Sequence, residues 1–422
     1  MSLAALPSAE PVRLIAIRGG LGAVPGVKMA GVHAAIKKRK TDLAVIVLGG
    51  PHVCAQVITT NDIKAAPLLV SSSHLDFDGN NMAAIVVNSG CANACTGERG
   101  MRDARATARQ AASLLKIKPT QVIVASTGVI GVYLPMDRLS KGIERALKDL
   151  SEGHEAAYAA AEAIMTTDHL PKLASYAWHD NGKRYAVGGI AKGSGMIAPN
   201  MATMLSFIAT DAPMSRAALG AALSEAVDST FNMISVDGDM STNDACYVFA
   251  KPGKGDAPAG FKEALTAVCR DLAVAMVRDG EGASKTLVFH VSGARDDAQA
   301  RQVARAVINS SLVKTALYGE DPNWGRVIAA AGAARVGIDP ETWSLFLGGQ
   351  PWVERGAIEA LSEAEAHTML EETTIEVRLD LGMGIGTATG WGCDLSSDYV
   401  RINAHYRTCA QRAPRPGAVR AW

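Results

Sequence analysis

The sequence predicts an α/β protein in which mixed sheets are layered with helices, followed by a smaller C-terminal α/β unit. Three observations predict it. Short runs rich in β-branched residues alternate with helical patterns along the chain. The strand–helix pairs keep no regular βαβ rhythm, so mixed sheets fit better than a doubly wound parallel sheet. A chain of 422 residues, 48% of them apolar, is long enough to bury a large core and to divide into more than one domain.

The first strands expected are 43–48 (LAVIVL), 83–87 (AAIVV) and 122–125 (VIVA), each bounded by turn residues. Residues 101–116 are rich in Ala and Arg, hold no Gly or Pro, and predict a helix. Two more helices are expected over 136–150 and 154–165, separated by Ser151-Glu152-Gly153. Strands follow at 185–191 and 204–210, then a helix over 215–230 with Ser215 as its N-cap. A strand at 246–250 and a helix at 261–277 come next, joined by PGKGDAPAG (252–260), which reads as the clearest flexible connector. From Thr286 the smaller unit begins, with a strand at 286–291, helices at 296–309 and 324–334, and strands at 343–347 and 374–381. The Pro/Arg/Ala-rich stretch 409–422 reads as a loose tail.

Lys plus Arg and Asp plus Glu stand at 42 each, so nothing in the composition points to nucleic acid or to an anionic membrane as partner. No run approaches the ~18 apolar residues of a membrane span. The N-terminal MSLAALPSAEPVRLIAIRGG has no basic segment followed by a long apolar core, and a cytoplasmic protein is expected. The seven cysteines are few, odd in number and free of any Cys-x-x-Cys pair, which fits reduced, buried thiols. Metal and cofactor motifs fail on inspection. GMGIG (382–386) puts Thr387 where a dinucleotide fingerprint wants its last Gly, and no helix pattern follows. The run Asp237-Gly238-Asp239-Met240-Ser241 starts as a calcium loop does but lacks the later Gly and Glu. His154-Glu155 is followed by Tyr158 where a zinc protease needs its second His. No metal and no cofactor are expected, and the expected partners are small molecules.

Polar residues gather instead in turn-rich loops: 88–97 (NSGCANACTG), 125–131 (ASTGVIG), 192–203 (KGSGMIAPNMAT), 235–244 (SVDGDMSTND), 278–285 (RDGEGASK) and 319–326 (GEDPNWGR). Any one alone is an ordinary surface turn. Together they imply loops converging on a polar cleft. Two carry specific chemistry. Thr127-Gly128 sets a hydroxyl beside a backbone N–H just after a strand, and glycine permits the close approach that an oxyanion donor needs. The 192–203 loop runs through Gly and Pro to Ala202-Thr203, and the apolar run MLSFIATD begins at once after it. Breaking the Ala202–Thr203 bond would give Thr203 a free α-amine beside its own hydroxyl, and that amine can serve as its general base. On the residues alone, the alternative is a plain turn.

Long, ordered stretches of the chain resemble the glutamate N-acetyltransferase/ornithine acetyltransferase family of arginine biosynthesis. They run from VPGVKMAGVHAAIKK (24–38) and TTNDIKAAP (59–67) through NSGCANACTG, ASTGVIG, KGSGMIAPNMATM, ISVDGDMSTNDA and VRDGEGASK. They continue through VKTALYGEDPNWGRV (313–327) to GWGCDLSSDYVRINAHYRT (390–408), so nearly all of the chain is covered. The resemblance implies an ornithine acetyltransferase/aminopeptidase-like sandwich and a precursor that cuts itself between Ala202 and Thr203. Residues 1–202 would become an α chain and 203–422 a β chain, paired as α2β2. Within the β chain, 203–285 would complete the catalytic sandwich, 286–408 form the C-terminal unit and 409–422 the tail. The resemblance implies Thr203 as nucleophile and Thr127 and Gly128 as oxyanion hole. It implies Thr166, Lys192, Thr203, Glu281, Asn403 and Thr408 as substrate contacts, with Thr167 the alternative to Thr166. The implied reaction is ping-pong transfer of acetyl from N2-acetyl-L-ornithine to L-glutamate through an acetyl-Thr203 ester. Acetyl-CoA stays open as a second donor. Lys192 would pair with a substrate carboxylate and Glu281 with the ornithine ammonium.

Three departures stand out. Residues 166–172 read TTDHLPK, with His169 where the family commonly has a Thr. The stretch 409–422 follows the point at which the family usually ends. Residues 395–399 read LSSDY where a bulkier aromatic often replaces the second Ser. Two other functions stay open on the sequence. One is an N-terminal-nucleophile amidohydrolase or aminopeptidase of related fold, in which water takes the acyl group from Thr203. The other is a non-catalytic paralogue.

Overall fold

The computed structural model describes residues 12–198, 204–355 and 358–404. Two mixed sheets are layered with helices. The larger has nine strands. Its path runs Ile15–Ala16, Lys172–Asp180, Lys183–Lys192, Leu205–Met214, Ala245–Pro252, Leu43–Ile58, Met82–Cys91 and Val122–Val129, with Lys28–Val32 paired to Leu43–Ile58 off that path. Two neighbours are parallel, Leu205–Met214 with Ala245–Pro252 and Met82–Cys91 with Val122–Val129. Each parallel pair needs a crossover, which the helices Arg216–Ser229 and Gly97–Leu115 supply. Ser215 caps the first of these, its hydroxyl accepting from Ala218 N.

The strand expected at 43–48 continues to Ile58. Gly49-Gly50-Pro51 reads as a turn, and the structure uses it to change partners within one strand. Residues before it pair with Lys28–Val32 and Met82–Cys91; after it His52 still meets Met82, and residues 53–58 pair with Ala245–Pro252. Gly50 takes a positive φ (118°), which suits glycine, and Pro51 brings no N–H to a ladder.

The alternation of side chains sets three cores. Val45, Val86 and Val124 face a layer made by the helices Ala66–Asp78, Gly97–Leu115 and Met136–Lys148. Ile46, Ile85 and Ile123 face the opposite way, onto the helix His154–Ile164, which Phe207 and Tyr247 of the same sheet also cover. That helix is nearly all alanine on its buried side, so Gly31 can lie directly on the backbone of Ala159. Ile208 and Val248 belong to a third core with Arg216–Ser229 and Phe261–Arg278. This third core runs on to Phe289 and Val377 of the second sheet.

The second sheet has seven strands, ordered Ile358–Glu359, Gln350–Glu354, Ser344–Leu347, Thr374–Asp380, Thr286–Ala294, Gly386–Cys393 and Ile234–Ser235. The last of these comes from far earlier in the chain, ahead of the Ala245–Pro252 strand of the larger sheet. The unit beginning at Thr286 therefore borrows an edge strand and shares a core with the layer before it. PGKGDAPAG, expected as a flexible connector, is a tied turn inside one layer: Gly253 N donates to Met214 O (3.0 Å) and Ser215 N to Gly255 O (3.0 Å).

The helix Ala66–Asp78 and the strand Lys172–Asp180 were not expected from the sequence. The helix holds Ser71-Ser72-Ser73, poor helix formers in isolation. Ser71 is buried and meets the neighbouring strand at both ends, donating to Val124 O (2.7 Å) and accepting from Val124 N (2.9 Å). Tertiary contacts there override local preference. Cys54, Cys91, Cys246, Cys269 and Cys393 are buried free thiols, whereas Cys95 is exposed; Cys409 lies outside the described residues. Among the described residues no helix is long and apolar enough to cross a membrane.

Candidate active site

A cavity of about 400 Å³ opens where five of the six polar loops meet. One wall is the end of the Val122–Val129 strand, Thr127 to Ile130, with Ala92 beside it. Thr166 and Thr167 follow the helix His154–Ile164, Lys192 ends the strand Lys183–Lys192, and Gly195 and Met196 follow it. Ser241 and Asn243, Glu281, and Asn403 of the helix Ser397–Ala404 complete the lining. The sixth loop, 319–326, is absent from the lining.

The Thr127–Gly128 wall is shaped by backbone. The parallel register between Met82–Cys91 and Val122–Val129 slips at Gly90 and Cys91, and such a bulge re-aims the residues beside it. Gly128 has φ 126°, and a Cβ there would lie 2.7 Å from Cys91 N and closer still to the Gly90 carbonyl carbon. Two buried amides hold the turn. Asn88 donates from Nδ2 to Cys91 O (2.8 Å) and accepts from Ser126 Oγ (2.6 Å). Asn243 Nδ2 donates to both Ser126 O (2.8 Å) and Ala92 O (2.7 Å).

The opposite wall is shaped by charge. Lys192 is 2% exposed, and its Nζ donates to Thr166 Oγ1 (2.9 Å) and lies 3.9 Å from Asp168 Oδ2. Burial pulls the Lys192 ammonium down from its usual range, and Asp168 is the strongest group opposing that fall. Burial also works against the Asp168 carboxylate, but Lys192 and Lys172 outweigh it and hold that group well below the usual carboxylate range. Glu281 is 5% exposed and accepts from Asn403 Nδ2 (2.7 Å). Gly195 leaves room for it: a Cβ there would lie 2.5 Å from the Glu281 carboxyl. A cation and an anion thus line the same hollow.

The 235–244 loop holds Met196 and Ile197 on one side and Met204 on the other. Asp237 accepts from Met196 N (2.5 Å) and Ile197 N (2.7 Å). Asp244 Oδ1 accepts from Met204 N (3.0 Å), and its Oδ2 is buried with no hydrogen-bond partner among the described residues. Burial pushes the Asp244 carboxyl well up, with the Met204 N–H the first group opposing it.

Comparison with known proteins gives the family of the chain. A model of the ArgJ family matches residues 28–408. The chain belongs to the ArgJ family. It is 48% identical over 404 residues to the arginine biosynthesis bifunctional protein ArgJ of Symbiobacterium thermophilum, covering 93% of this chain and 99% of the relative. It is 44% identical over 402 residues to the protein of the same name from Dehalococcoides mccartyi, covering 92% and 98%. Among solved structures, ornithine acetyltransferase complexed with ornithine from Mycobacterium tuberculosis is 37% identical, with a TM-score of 0.41, covering 46% of this chain and 100% of that one.

In this ArgJ-family chain the cavity brings together Thr127, Gly128, Thr166, Lys192, Glu281 and Asn403. Ala202, Thr203 and Thr408 lie outside the described residues. Thr166 and Thr167 both line the hollow but differ in partner, since Thr167 Oγ1 meets Ser194 Oγ (2.8 Å) while Thr166 meets Lys192. His169 is absent from the lining. Its side chain is 68% exposed and its Nδ1 lies 3.2 Å from Asp279 Oδ1. Sequence reasoning passed over Asn88, Asp168, Asp237, Asn243 and Asp244. All five stand in polar stretches, but each also has a partner far along the chain, and no local pattern names that pairing.

Proposed function

We propose that this ArgJ-family chain is a self-cleaving acetyltransferase of arginine biosynthesis that moves acetyl from N2-acetyl-L-ornithine to L-glutamate through an ester on Thr203. The observation that carries this reading is the pairing, in one hollow, of a buried cation and anion with a strand end fit to hold an oxyanion. A zwitterionic amino-acid derivative needs both charges, and acyl transfer needs the oxyanion donors.

Hydrolysis of the Ala202–Thr203 bond frees the Thr203 α-amine. That amine takes the Thr203 hydroxyl proton as the oxygen attacks the acetyl carbonyl of the donor. The tetrahedral oxyanion forms against Thr127 and the Gly128 N–H. Its collapse breaks the amide C–N bond, the amine returns the proton to the leaving nitrogen, and ornithine departs. The α-amine of L-glutamate then attacks the acetyl ester, and N-acetyl-L-glutamate leaves as the Thr203 hydroxyl is restored. Lys192 takes a substrate carboxylate, and Glu281, held by Asn403, takes the ornithine ammonium. Thr166 orients Lys192, and Thr408 joins the substrate contacts. No metal or cofactor enters these steps, and acetyl-CoA is a second donor to be tested. The two pieces, 1–202 and 203–422, stay together as α2β2 in the cytoplasm.

Intact-mass measurement of purified protein tests the first step. Two species are expected, and a single one of about 44 kDa would overturn the mechanism. Assays with each donor, with and without glutamate, then test the second. Acetate release that ignores glutamate would identify a hydrolase instead.

A further inference from the structure

We infer that Asp168 is a positioning residue for the transfer reaction: from behind the cavity wall, its carboxylate keeps the Lys192 ammonium charged and aimed at the substrate carboxylate. The inference rests on the reading of Lys192 given above. Asp168 is 1% exposed and does not line the hollow. Both of its oxygens are engaged. Oδ1 accepts from Gly193 N (2.7 Å) and Lys172 Nζ (2.8 Å), and Oδ2 accepts from Thr166 N (3.0 Å) and faces Lys192 Nζ at 3.9 Å. It therefore ties the turn bearing Thr166 to the strand end bearing Lys192, the two pieces of chain between which the Lys192–Thr166 contact forms.

The charges extend in a row away from the cavity. Lys192 is followed by Asp168, Asp168 by Lys172, and Lys172 by Asp279 (2.6 Å), whose outer side meets His169. Lys172 is 3% exposed, so the row is buried up to its last members. Lys192 faces further groups from other elements: Glu281 and Asp244 on the anionic side, and Lys172 and Lys37 on the cationic side. Burial alone favours the neutral form of such a lysine. Asp168 is the strongest opposing charge, while Lys172 works with burial. Without Asp168 the neutral form of Lys192 gains ground, and a neutral amine attracts a carboxylate far less.

Asp168→Asn and Lys172→Met test this from opposite sides. Steady-state KM and kcat for acetylornithine would be followed across pH 6 to 9, alongside thermal stability. In Asp168→Asn the pH above which KM climbs should move down by about one unit or more, which is about tenfold in KM within that window, with kcat less affected. In Lys172→Met the same limb should move up, because a repelling charge is lost and Asp168 is left to Lys192. A merely structural role would lower stability in both and leave the KM limb in place. Superposable limbs, or limbs moving the same way, would overturn the inference. A substrate-free arm separates it from the function it rests on. NMR of 13Cε-lysine-labelled protein, with the Lys192 signal identified by its loss in Lys192→Met, should show Lys192 titrating lower in Asp168→Asn. An unchanged titration sinks the inference whatever the activity. An unchanged KM in Lys192→Met would instead sink the substrate-contact reading.

Discussion

The two walls of the cavity are held in place by different means. At Thr127–Gly128 the work is done by backbone shape and two neutral amides, Asn88 and Asn243, each bonded to carbonyls of the turn. At Lys192–Glu281 it is done by charged side chains, Lys192 backed by Asp168 from behind the wall and Glu281 held by Asn403 within the lining. The first arrangement fails when atoms are added or a donor is removed. The second fails when a charge is removed or titrated. Variants on the two sides should therefore differ in kind, with kcat changing on one side and KM on the other.

The largest effect is expected at Gly128. In Gly128→Ala the new Cβ would crowd Cys91 N at 2.7 Å in a backbone held at φ 126°, so the turn must shift and the N–H leave its aim. Loss of one oxyanion donor typically lowers kcat ~10²–10³-fold, with KM for acetylornithine close to native. Steady-state kinetics on the purified variant reads this directly. A large KM change with kcat intact would remove the distinction between the walls.

Next is Lys192→Met. Charge-assisted contacts contribute ~1.5–3 kcal/mol, so KM for acetylornithine should rise roughly 10- to 100-fold while kcat at saturation falls less. The charged wall should also show itself in acid. Asp168 binds a proton less readily folded than unfolded. The stability it contributes is therefore whole above its unfolded pKa of ~3.9 and is lost as pH falls through its depressed folded value. Acid unfolding of native protein against Asp168→Asn, followed by circular dichroism, should show a shallower acid limb in the variant. Parallel limbs would mean that the ion row adds no stability of its own.

Asn243→Ala is expected to be milder. It removes one buried amide that bonds both Ser126 O and Ala92 O. Leaving buried carbonyls unpaired costs ~1–3 kcal/mol each before relaxation. A lower Tm should accompany a loss of roughly tenfold in kcat, smaller than at Gly128 because the donor itself remains. An unchanged Tm with native kcat would show that Asn88 alone suffices to hold the turn.

The same contrast explains what could be read from the sequence. The neutral wall was legible in part because its requirements are local: a β-branched run, then Thr and Gly at its end. Its braces were not, since Asn243 is 117 residues from the Ser126 carbonyl it holds. The helices at 136–148 and 261–278 announce themselves by their apolar period, and Ser215 by its capping position. The helix Ala66–Asp78 did not, because its three serines argue locally against the helix that Ser71 helps to dock. Lys192 and Glu281 were identified by resemblance to a family. Asp168 stayed hidden in TTDHLPK because a buried anion between two lysines is a property of the folded chain, and sequence spacing shows only its contact with Lys172 four residues on.

His169 gives the smallest expected effect and a strict test of where the charged wall ends. Asp279 is bound at the backbone of residue 169, whose N–H donates to both oxygens (3.0 and 3.2 Å), and by Lys172 Nζ at 2.6 Å. None of these contacts needs the imidazole. The ring adds only a side-chain contact that is 68% exposed on the His side, and exposed pairs contribute about 0–1 kcal/mol. His169→Thr should therefore leave KM for acetylornithine within about twofold and stability within about 0.5 kcal/mol, measured by steady-state kinetics and denaturant unfolding. A tenfold KM change would mean that the outermost side chain still steers Lys192 through Asp279, Lys172 and Asp168. The wall would then be a single electrostatic unit reaching from the cavity to the surface, and the residue at 169 would belong to it.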